Sequence, residues 1–253
     1  MGISVVVDVE TTGLNPSRDR VIEIGVLQFQ DSASGVPAIT GSYGALQDPG
    51  EPLTPEISQL TGLRDEVLRG KAIDWAAVAR LLQGAEMVIA HNAVFDRAFL
   101  MRRPEIKNLE PRFACSMQHI DWAAKGFASQ RLNYLAADHG FLNPFPHRAL
   151  FDCATTFKLI APHLNELRER SAQRTHLMIA WDSPFDRKDL LKARSYRWDS
   201  DKRVWLKTTI AQEVEAERSF LKEQIYGDRA DRHEEQEVDF WQLGEDRLTQ
   251  NGG

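Results

Sequence analysis

The chain begins with an apolar segment that carries two closely spaced carboxylates at its end. Ile3–Val9 is β-branched almost throughout, which predicts a buried strand. Because side chains alternate between the two faces of a strand, Asp8 and Glu10 should lie side by side on one face. Two carboxylates this close resist burial unless a cation compensates them, and a divalent metal is the usual compensation. The alternative is that Asp8 starts a turn and that Glu10 is solvated.

Composition limits the class of protein. With 253 residues, 42% of them hydrophobic, the chain can form one substantial core and a small additional unit. The formal charge of −6 argues against nonspecific coating of nucleic acid, but a nuclease site is itself acidic until metal arrives. Two cysteines, Cys115 and Cys153, are too few for a disulfide framework, and no apolar run or leader indicates a membrane segment. We therefore expect a cytoplasmic protein without a membrane partner.

The order of the predicted elements indicates an α/β fold. Three strands, followed by alternating helices and strands, predict a mixed sheet flanked by helices over residues 1–170. A smaller α+β unit is expected over 175–226, followed by an acidic and flexible tail over 227–253. The predicted strands are 3–9, 21–29, 37–46, 87–90 and 112–115, and the predicted helices are 55–60, 75–82, 93–101, 117–124, 132–138 and 149–169. In the smaller unit, strands are predicted at 176–181, 196–198 and 204–207, a helix at 187–194, and a second helix, rich in Glu, that follows the hairpin and runs to about 226.

A second candidate site directly follows the fourth strand, in the segment from His91 to Asp96. The end of a strand that leads into a helix is where α/β sheets commonly carry functional groups. The alternative is structural, because an acidic residue is favoured in the first turn of a helix and His91 or Asn92 can cap it.

A third candidate site lies at the start of the last long helix. Pro144 and Pro146 discourage helix before His147, which places this histidine in a loop. Asp152 then lies in the first turns of the helix. Two side chains five residues apart on one continuous helix point well away from each other, so a movable loop histidine beside a fixed carboxylate is expected. The alternative is an ordinary surface histidine.

Taken together, these three sites resemble a known family. Asp-x-Glu on a strand, Asn-x-x-Phe-Asp after a later strand and His-x-x-x-x-Asp at the last helix resemble, in this order, the DEDDh family of 3′–5′ exonucleases. That family includes the proofreading subunit of bacterial replicative polymerases and ribonuclease T. The resemblance covers residues 1–170 and extends to the segments 11–14, 21–25, 60–63 and 91–92.

The resemblance implies a ribonuclease H-like fold and two divalent cations, Mg²⁺ or Mn²⁺. It implies that Asp8, Glu10 and Asp152 hold one ion, that Asp8 bridges to the second, and that Asp96 supports the second ion. Two such ions suit hydrolysis of a phosphodiester, because they activate water and stabilise the leaving oxygen. Histidine ordinarily titrates near pH 6.5, which suits His147 as the general base. The residues implied to contact the terminal nucleotide are Thr11, Thr12, Leu14, Asn92 and Phe95.

The function predicted from this resemblance is a metal-dependent exonuclease that degrades DNA from its 3′ end and releases nucleoside 5′-monophosphates. A 3′–5′ exoribonuclease is the first alternative, since no residue is recognised as reading the 2′-hydroxyl. A non-catalytic nucleic-acid-binding subunit is the second alternative. All five chemical positions are filled, which disfavours that second alternative.

The C-terminal region carries two weaker signals. Basic residues alternate with aromatic residues between 181 and 207, a pattern that suits binding of single-stranded nucleic acid. The alternative is that Trp198 and Trp205 build the core of a small unit. In the acidic tail, Gln236–Trp241 faintly resembles the short peptides that dock on sliding clamps. A polymerase or a sliding clamp is therefore a candidate partner of this region.

Overall fold

A computed structural model describes residues 2–31 and 36–251, so that residues 252 and 253 of the expected tail lie outside it. The chain divides into two compact units, one formed by 1–171 with 244–253 and the other by 172–243. No helix in the described ranges is both long enough and apolar enough to cross a bilayer. The strands are β1 (Ile3–Thr11), β2 (Val21–Gln30), β3 (Ala38–Leu46), β4 (Met87–Ala90), β5 (Phe113–Cys115), β6 (Thr175–Ala180), β7 (Arg197–Asp199), β8 (Val204–Ile210) and β9 (His233–Val238). The α-helices are α1 (Pro55–Thr61), α2 (Asp65–Leu68), α3 (Trp75–Leu82), α4 (Ala93–Leu100), α5 (Pro104–Lys107), α6 (Leu132–Asp138), α7 (Ala149–Ile160), α8 (Leu164–Ser171), α9 (Lys188–Ala193), α10 (Val214–Phe220) and α11 (Phe240–Asn251).

The larger unit is built on a five-stranded mixed sheet with the order β3-β2-β1-β4-β5. The first three strands form an antiparallel meander, and β4 and β5 add in parallel to β1. Parallel neighbours need crossover connections, which here contain helices, and this places helices against the sheet. The α/β mixed sheet expected from the sequence is therefore present.

One face of β1 holds both the main core and the carboxylates. Val6 lies opposite Leu27 and Ile89 in the registers of β1 with β2 and β4, and all three are buried in one apolar cluster. That cluster includes Cys153 of α7, so α7 packs on this face. Asp8 and Glu10 follow Val6 at alternating positions and therefore emerge on the side where α7 begins.

Two helix predictions in this unit are wrong. The helix predicted at 149–169 is interrupted, because Pro162 lacks an N–H donor and a 3₁₀ turn (Ala161–His163) separates α7 from α8. The segment 117–124 forms turns rather than a helix. Its side chains bond to backbone groups outside a helical ladder, with Nδ1 of His119 accepting from Cys115 N at 3.0 Å and Nε1 of Trp122 donating to Ser116 O at 2.8 Å.

The smaller unit contains a four-stranded antiparallel sheet with the order β7-β8-β6-β9. Its core lies among β6, β8, α9 and α10, and includes the buried Trp205. The ring of Trp198 packs edge-on against Trp205 with centroids 5.5 Å apart, as the structural alternative requires. The helix predicted to reach residue 226 is α10 continued by a π-helical segment, Leu221–Tyr226.

Part of the segment expected to be a flexible tail, 227–253, instead forms regular secondary structure. β9 pairs antiparallel with β6 along its whole length, and α11 follows it. Glu235 contacts two side chains here, with His176 Nδ1 at 2.8 Å from its carboxylate and an ion pair to Arg218. The strand was missed because its sequence, His233–Val238, is polar. Residues 236–238 of the segment compared with clamp-docking peptides are therefore already paired in this sheet.

Candidate active site

Three of the carboxylates identified in the sequence converge at the junction of β1 and α7. Oxygen atoms of Asp8, Glu10 and Asp152 all lie within 4.8 Å of one another. Asp8 and Glu10 are half-buried on β1, and Asp152 is buried in the first turn of α7. Residues separated by more than 140 positions in the chain thus form one group of oxygen atoms.

A glycine in β2 permits this convergence. Gly25 lies opposite Asp8 in the β1–β2 register, and a Cβ atom built on it would lie 2.4 Å from the carbonyl carbon of Ala149. Only a residue without a side chain therefore lets the start of α7 approach the sheet this closely. The thiol of Cys153 donates to Val6 O at 3.7 Å on the same face. Helix and strand are held together directly beside the carboxylates.

Asp152 is oriented by donors from its own neighbourhood. Asn143 Nδ2 donates to one carboxylate oxygen at 2.8 Å, and Arg148 N donates to the other at 3.0 Å. Asn143 belongs to the proline-containing loop before α7. Sequence reasoning did not identify Asn143, because nothing in that loop indicated which residue would face the helix.

Asp96 approaches β1 from α4, the helix that follows the neighbouring strand β4. It is buried in the first turn of α4, and its Oδ1 accepts a hydrogen bond from Val9 N at 3.0 Å. The parallel pairing of β1 with β4 covers only Ser4–Val6, so the Val9 donor lies beyond the paired part of β1. The carboxylate replaces a strand as the acceptor, and it is thereby fixed next to the Asp8–Glu10 pair.

The electrostatics of this group are those of an anionic cluster without enough cations. Burial, followed by the charges of Asp96 and Glu10, raises the pKa of Asp8 well above its usual range. Burial also raises the pKa of Glu10 to about 8, that of Asp96 to about 7 and that of Asp152 to about 6, in each case with neighbouring carboxylates adding to the effect. All four groups therefore resist ionisation in the absence of a bound cation.

An ion pair at the edge of the cluster supplies one protein cation. Glu23 lies opposite Glu10 in the β1–β2 register, is only 6% exposed, and accepts from Nε of Arg148 at 3.0 and 3.2 Å. Arg148 therefore ties β2 to the loop that precedes α7. Their pairing could not be predicted from the sequence, because the two residues are 125 positions apart.

The two histidines of the motifs occupy different environments. His147 is exposed in the loop before α7, with a left-handed backbone (φ 61°), and it lies outside the group of converging carboxylates. His91 bonds through Nδ1 to Ser116 Oγ at 2.9 Å and through Nε2 to Gln130 O at 2.7 Å. Desolvation lowers the pKa of His91 to about 4, so it is a neutral residue that joins three loops.

The residues implied to contact the terminal nucleotide lie in the two segments that follow Glu10 and precede Asp96 in the chain, at the end of β1 with its turn and at the start of α4. Thr12 Oγ1 accepts from Arg20 N at 3.0 Å, and the hydroxyl of Thr11, the last residue of β1, donates to Gly13 O at 2.5 Å, so both side chains bond within the turn after β1. Leu14 is 57% exposed on the same turn. Asn92 is exposed at the N-terminus of α4 with a left-handed backbone (φ 69°), and Phe95 follows it, half-buried, on the first turn.

The donor set fits a hard divalent cation. All four acidic groups offer carboxylate oxygens, the ligands that Mg²⁺ and Mn²⁺ prefer, and no sulfur or imidazole ligand lies among the three oxygen donors that converge. The raised pKa values give the same indication, because a cation would remove the repulsion that raises them. The residues present therefore fit the metal implied by the family resemblance.

Comparisons with known proteins agree with this architecture. Residues 5–160 match the model of the RNase T family, described as exonuclease. Among curated proteins, PolC-type DNA polymerase III of Listeria welshimeri is 29% identical over 169 residues, and that of Bacillus subtilis is 28% identical over 175 residues. These alignments cover 65% and 67% of this chain but only 11% and 12% of the polymerases, so the chain spans about a tenth of their length.

Two solved structures share the fold. Exonuclease X in complex with 5′ overhanging duplex DNA superposes with a TM-score of 0.50 at 22% identity, covering 67% of this chain and 99% of that one. Exonuclease I superposes with a TM-score of 0.52 at 15% identity, covering 71% and 49%. The ribonuclease H-like mixed sheet is thus confirmed, and the fold with its acidic site defines a nuclease. The chain belongs to the RNase T exonuclease family, and its resemblance to the DEDDh exonucleases is confirmed.

Proposed function

We propose that this protein is a metal-dependent 3′–5′ exonuclease that removes nucleoside 5′-monophosphates from DNA 3′ ends. The observation that carries the proposal is the convergence of Asp8, Glu10 and Asp152 within 4.8 Å, with Asp96 bonded to the backbone between the first two. An acidic cluster of this kind needs divalent cations to bind a phosphodiester, which is itself anionic. Membership in the exonuclease family supports the same reading.

Two Mg²⁺ or Mn²⁺ ions are the proposed cofactors. Asp8, Glu10 and Asp152 would hold one ion, Asp8 would also contact the second, and Asp96 would support the second directly or through water. When bound, the ions supply Lewis acidity to the attacking water and to the leaving oxygen. The protein contributes the orientation of these ligands, since hydrogen bonds from Val9, Asn143 and Arg148 fix the two carboxylates that come from helices.

The remaining residues have proposed roles that follow from their positions. His147 accepts the proton of the attacking water, and its place on an exposed loop allows it to approach a bound substrate. Leu14 and Phe95 pack against the terminal base, where apolar contact tolerates any base. The turn residues Thr11 and Thr12, together with Asn92, contact the sugar and phosphate of that nucleotide.

DNA is the preferred substrate in this proposal. The similar proteins are DNA polymerases by name, and the solved exonuclease X structure holds duplex DNA. RNA is the alternative, because no residue of the site is assigned to a 2′-hydroxyl. The polymerase relatives also favour a polymerase as partner, although residues 236–238 are paired in β9 and do not form a free peptide for a clamp.

Digestion of end-labelled oligonucleotides tests the proposal. With Mg²⁺ or Mn²⁺, a 3′-labelled DNA strand should release labelled mononucleotide at once, while a 5′-labelled strand should shorten stepwise. EDTA should stop both reactions, and Asp8→Asn should abolish them, whereas Asp74→Asn in the exposed cap of α3 should retain activity. Release of mononucleotide first from a 5′-labelled strand would refute the polarity. Preference for a matched RNA strand would select the alternative, and binding without cleavage would indicate a non-catalytic subunit.

A further inference from the structure

A cavity rich in arginine lies beside the part of the β1–β2 turn that leads into β2. Its volume is about 380 Å³, and Arg18, Arg20, Arg102 and Arg103 all line it. The first two come from the turn between β1 and β2, and the last two from the segment between α4 and α5. The proposed chemistry uses none of these four residues, and the family resemblance assigned no role to them.

The positive charge of this cavity is only partly offset by the acidic residues of its own lining. Across residues 2–31 and 36–251, none of the four guanidinium groups forms an ion pair with a carboxylate. Two aspartates also line the cavity, so four cationic side chains face two anionic ones, and backbone donors engage both aspartates. Asp19 accepts from Asn15 N at 2.7 Å, and Asp48 accepts from Gly50 N and Gly70 N, both at 2.8 Å.

The arginines are arranged so that they remain available to a ligand. Arg18, Arg20 and Arg102 are exposed, so their guanidinium groups can turn toward an anion. Arg103 is half-buried, and its guanidinium lies over the ring of Trp75 at 4.4 Å, which fixes its direction. Part of this charge has a structural explanation, because cations are favoured after the C-terminus of a helix such as α4. That explanation does not apply to Arg18 and Arg20.

Two structural connections join the cavity to the proposed nucleotide-binding residues. Thr12 and Arg20 exchange hydrogen bonds, with Thr12 N donating to Arg20 O at 2.9 Å and Arg20 N donating to Thr12 Oγ1 at 3.0 Å. Phe99, which also lines the cavity, contacts Phe95 with ring centroids 5.0 Å apart. Arg102 lies seven residues after Phe95, or roughly 10 Å in helical rise. That distance corresponds to about three nucleotides of B-form rise.

We infer that this cavity binds backbone phosphates of the substrate strand a few nucleotides upstream of its 3′ end. This inference rests on the proposed function and adds a second contact region to it. Guanidinium groups bind phosphate oxygens through charge-assisted, often bidentate, hydrogen bonds. Such contacts carry no base specificity, which a degrading enzyme requires. They also hold the strand while its terminal nucleotide is replaced by the next.

The test is equilibrium binding to the full chain, in a fixed concentration of Mg²⁺, of fluorescent single-stranded DNA whose 3′-terminal linkage cannot be hydrolysed. The variant carries Arg18→Gln with Arg102→Gln, two exposed positions whose exchange leaves the core untouched. The control carries Arg80→Gln with Lys107→Gln, which removes the same charge from exposed positions outside the cavity. Thermal unfolding of both proteins verifies that they are folded.

For a 12-nucleotide strand, the cavity variant should bind roughly five- to twentyfold more weakly than wild type at moderate salt. The slope of log Kd against log salt should fall by about 1.4, since each phosphate contact in single strands contributes roughly 0.7. A labelled dinucleotide, which is too short to reach the cavity, should lose no affinity. The control should keep the wild-type slope.

Three outcomes would overturn the inference. The cavity variant could retain the full salt dependence, the control could lose as much affinity as the variant, or the dinucleotide could be weakened equally, which would place the arginines at the terminal nucleotide. If free thymidine monophosphate competes with the labelled strand for the wild type and the control but not for the cavity variant, the cavity binds free nucleotide instead. Because the measurement needs no turnover, its outcome is independent of the test of the proposed function. If the wild type cleaves DNA as proposed but the cavity variant keeps the wild-type salt slope, only the inference about the cavity is refuted.

Discussion

Replacing Glu10 by glutamine should stabilise the metal-free protein and abolish its activity. Burial, with the charges of Asp152 and Glu23, raises the pKa of Glu10 from 4.5 to about 8. A carboxyl with a raised pKa in the folded state contributes its full stability below pH 4.5. That stability is lost as the pH rises through about 8, because the unfolded chain releases its proton first. The metal-free wild type should therefore lose stability between about pH 5 and pH 9, and the glutamine variant should lose less.

The size of the effect follows from the same pKa values. A rise from 4.5 to about 8 corresponds to roughly 5 kcal/mol of unfolding free energy near pH 9. Burial of the neutral glutamine amide costs about 2 kcal/mol, so the net gain in unfolding free energy of the variant is roughly 3 kcal/mol. For a chain of this size, the Tm should rise by roughly 6–12 °C. Near pH 6, where only roughly 2 kcal/mol is at stake, the two proteins should unfold within a few degrees of each other.

Thermal unfolding in EDTA near pH 6 and near pH 9, repeated with excess Mn²⁺, measures these differences. Mn²⁺ should raise the Tm of the wild type, since it binds only the folded state, and should raise that of Glu10→Gln much less. Glu51→Gln, in an exposed loop, is the matched control and should follow the wild type throughout. The reasoning is refuted if Glu10→Gln melts with the wild type near pH 9, or if Mn²⁺ stabilises both proteins equally.

Three further predictions concern residues around the cluster. Gly25→Ala should displace the start of α7, lower the free energy of unfolding by about 1–3 kcal/mol and reduce the cleavage rate more than tenfold. The control is Gly44→Ala, whose added Cβ meets nothing closer than 3.4 Å and which should change neither denaturant unfolding nor cleavage. Arg148→Ala should cost about 3 kcal/mol in denaturant unfolding because it leaves Glu23 buried without its partner, and adding Glu23→Gln should restore most of that loss. His147→Ala should lower the cleavage rate at least a hundredfold, yet Mn²⁺ should still raise its Tm as in the wild type; loss of that rise would make His147 a metal ligand.

The sequence predicted the elements of the main sheet because their side chains determine them locally. Ile3–Val9 is β-branched, and alternation alone puts Asp8 and Glu10 on one face, as the structure has them. The tail strand β9 could not be recognised in this way, because its residues are mostly charged. It forms through contacts such as Glu235 with His176, between segments that local propensity does not relate.

The supporting residues of the site were beyond sequence reasoning for a similar reason. Asn143 reaches Asp152 from an irregular loop, and Glu23 meets Arg148 across 125 positions. Each pair depends on how α7 approaches the sheet, which no periodic pattern encodes. Gly25 was the one available signal, since a glycine inside a buried strand indicates a close backbone approach. Its partner in that approach, Ala149, becomes evident only in three dimensions.

The carboxylates of the site are held in two different ways, and this difference bears on how cations would be bound. Asp96 and Asp152, which come from helices, accept hydrogen bonds from protein donors and are fixed in direction. Asp8 and Glu10, which come from β1, accept none from the residues that the structure describes. The strand pair therefore keeps its oxygen lone pairs for a ligand, while the helix pair sets where that ligand can lie. A cation at this position would satisfy the acids that the protein leaves unsatisfied, and would so contribute to the stability of this end of the central strand as well as to catalysis.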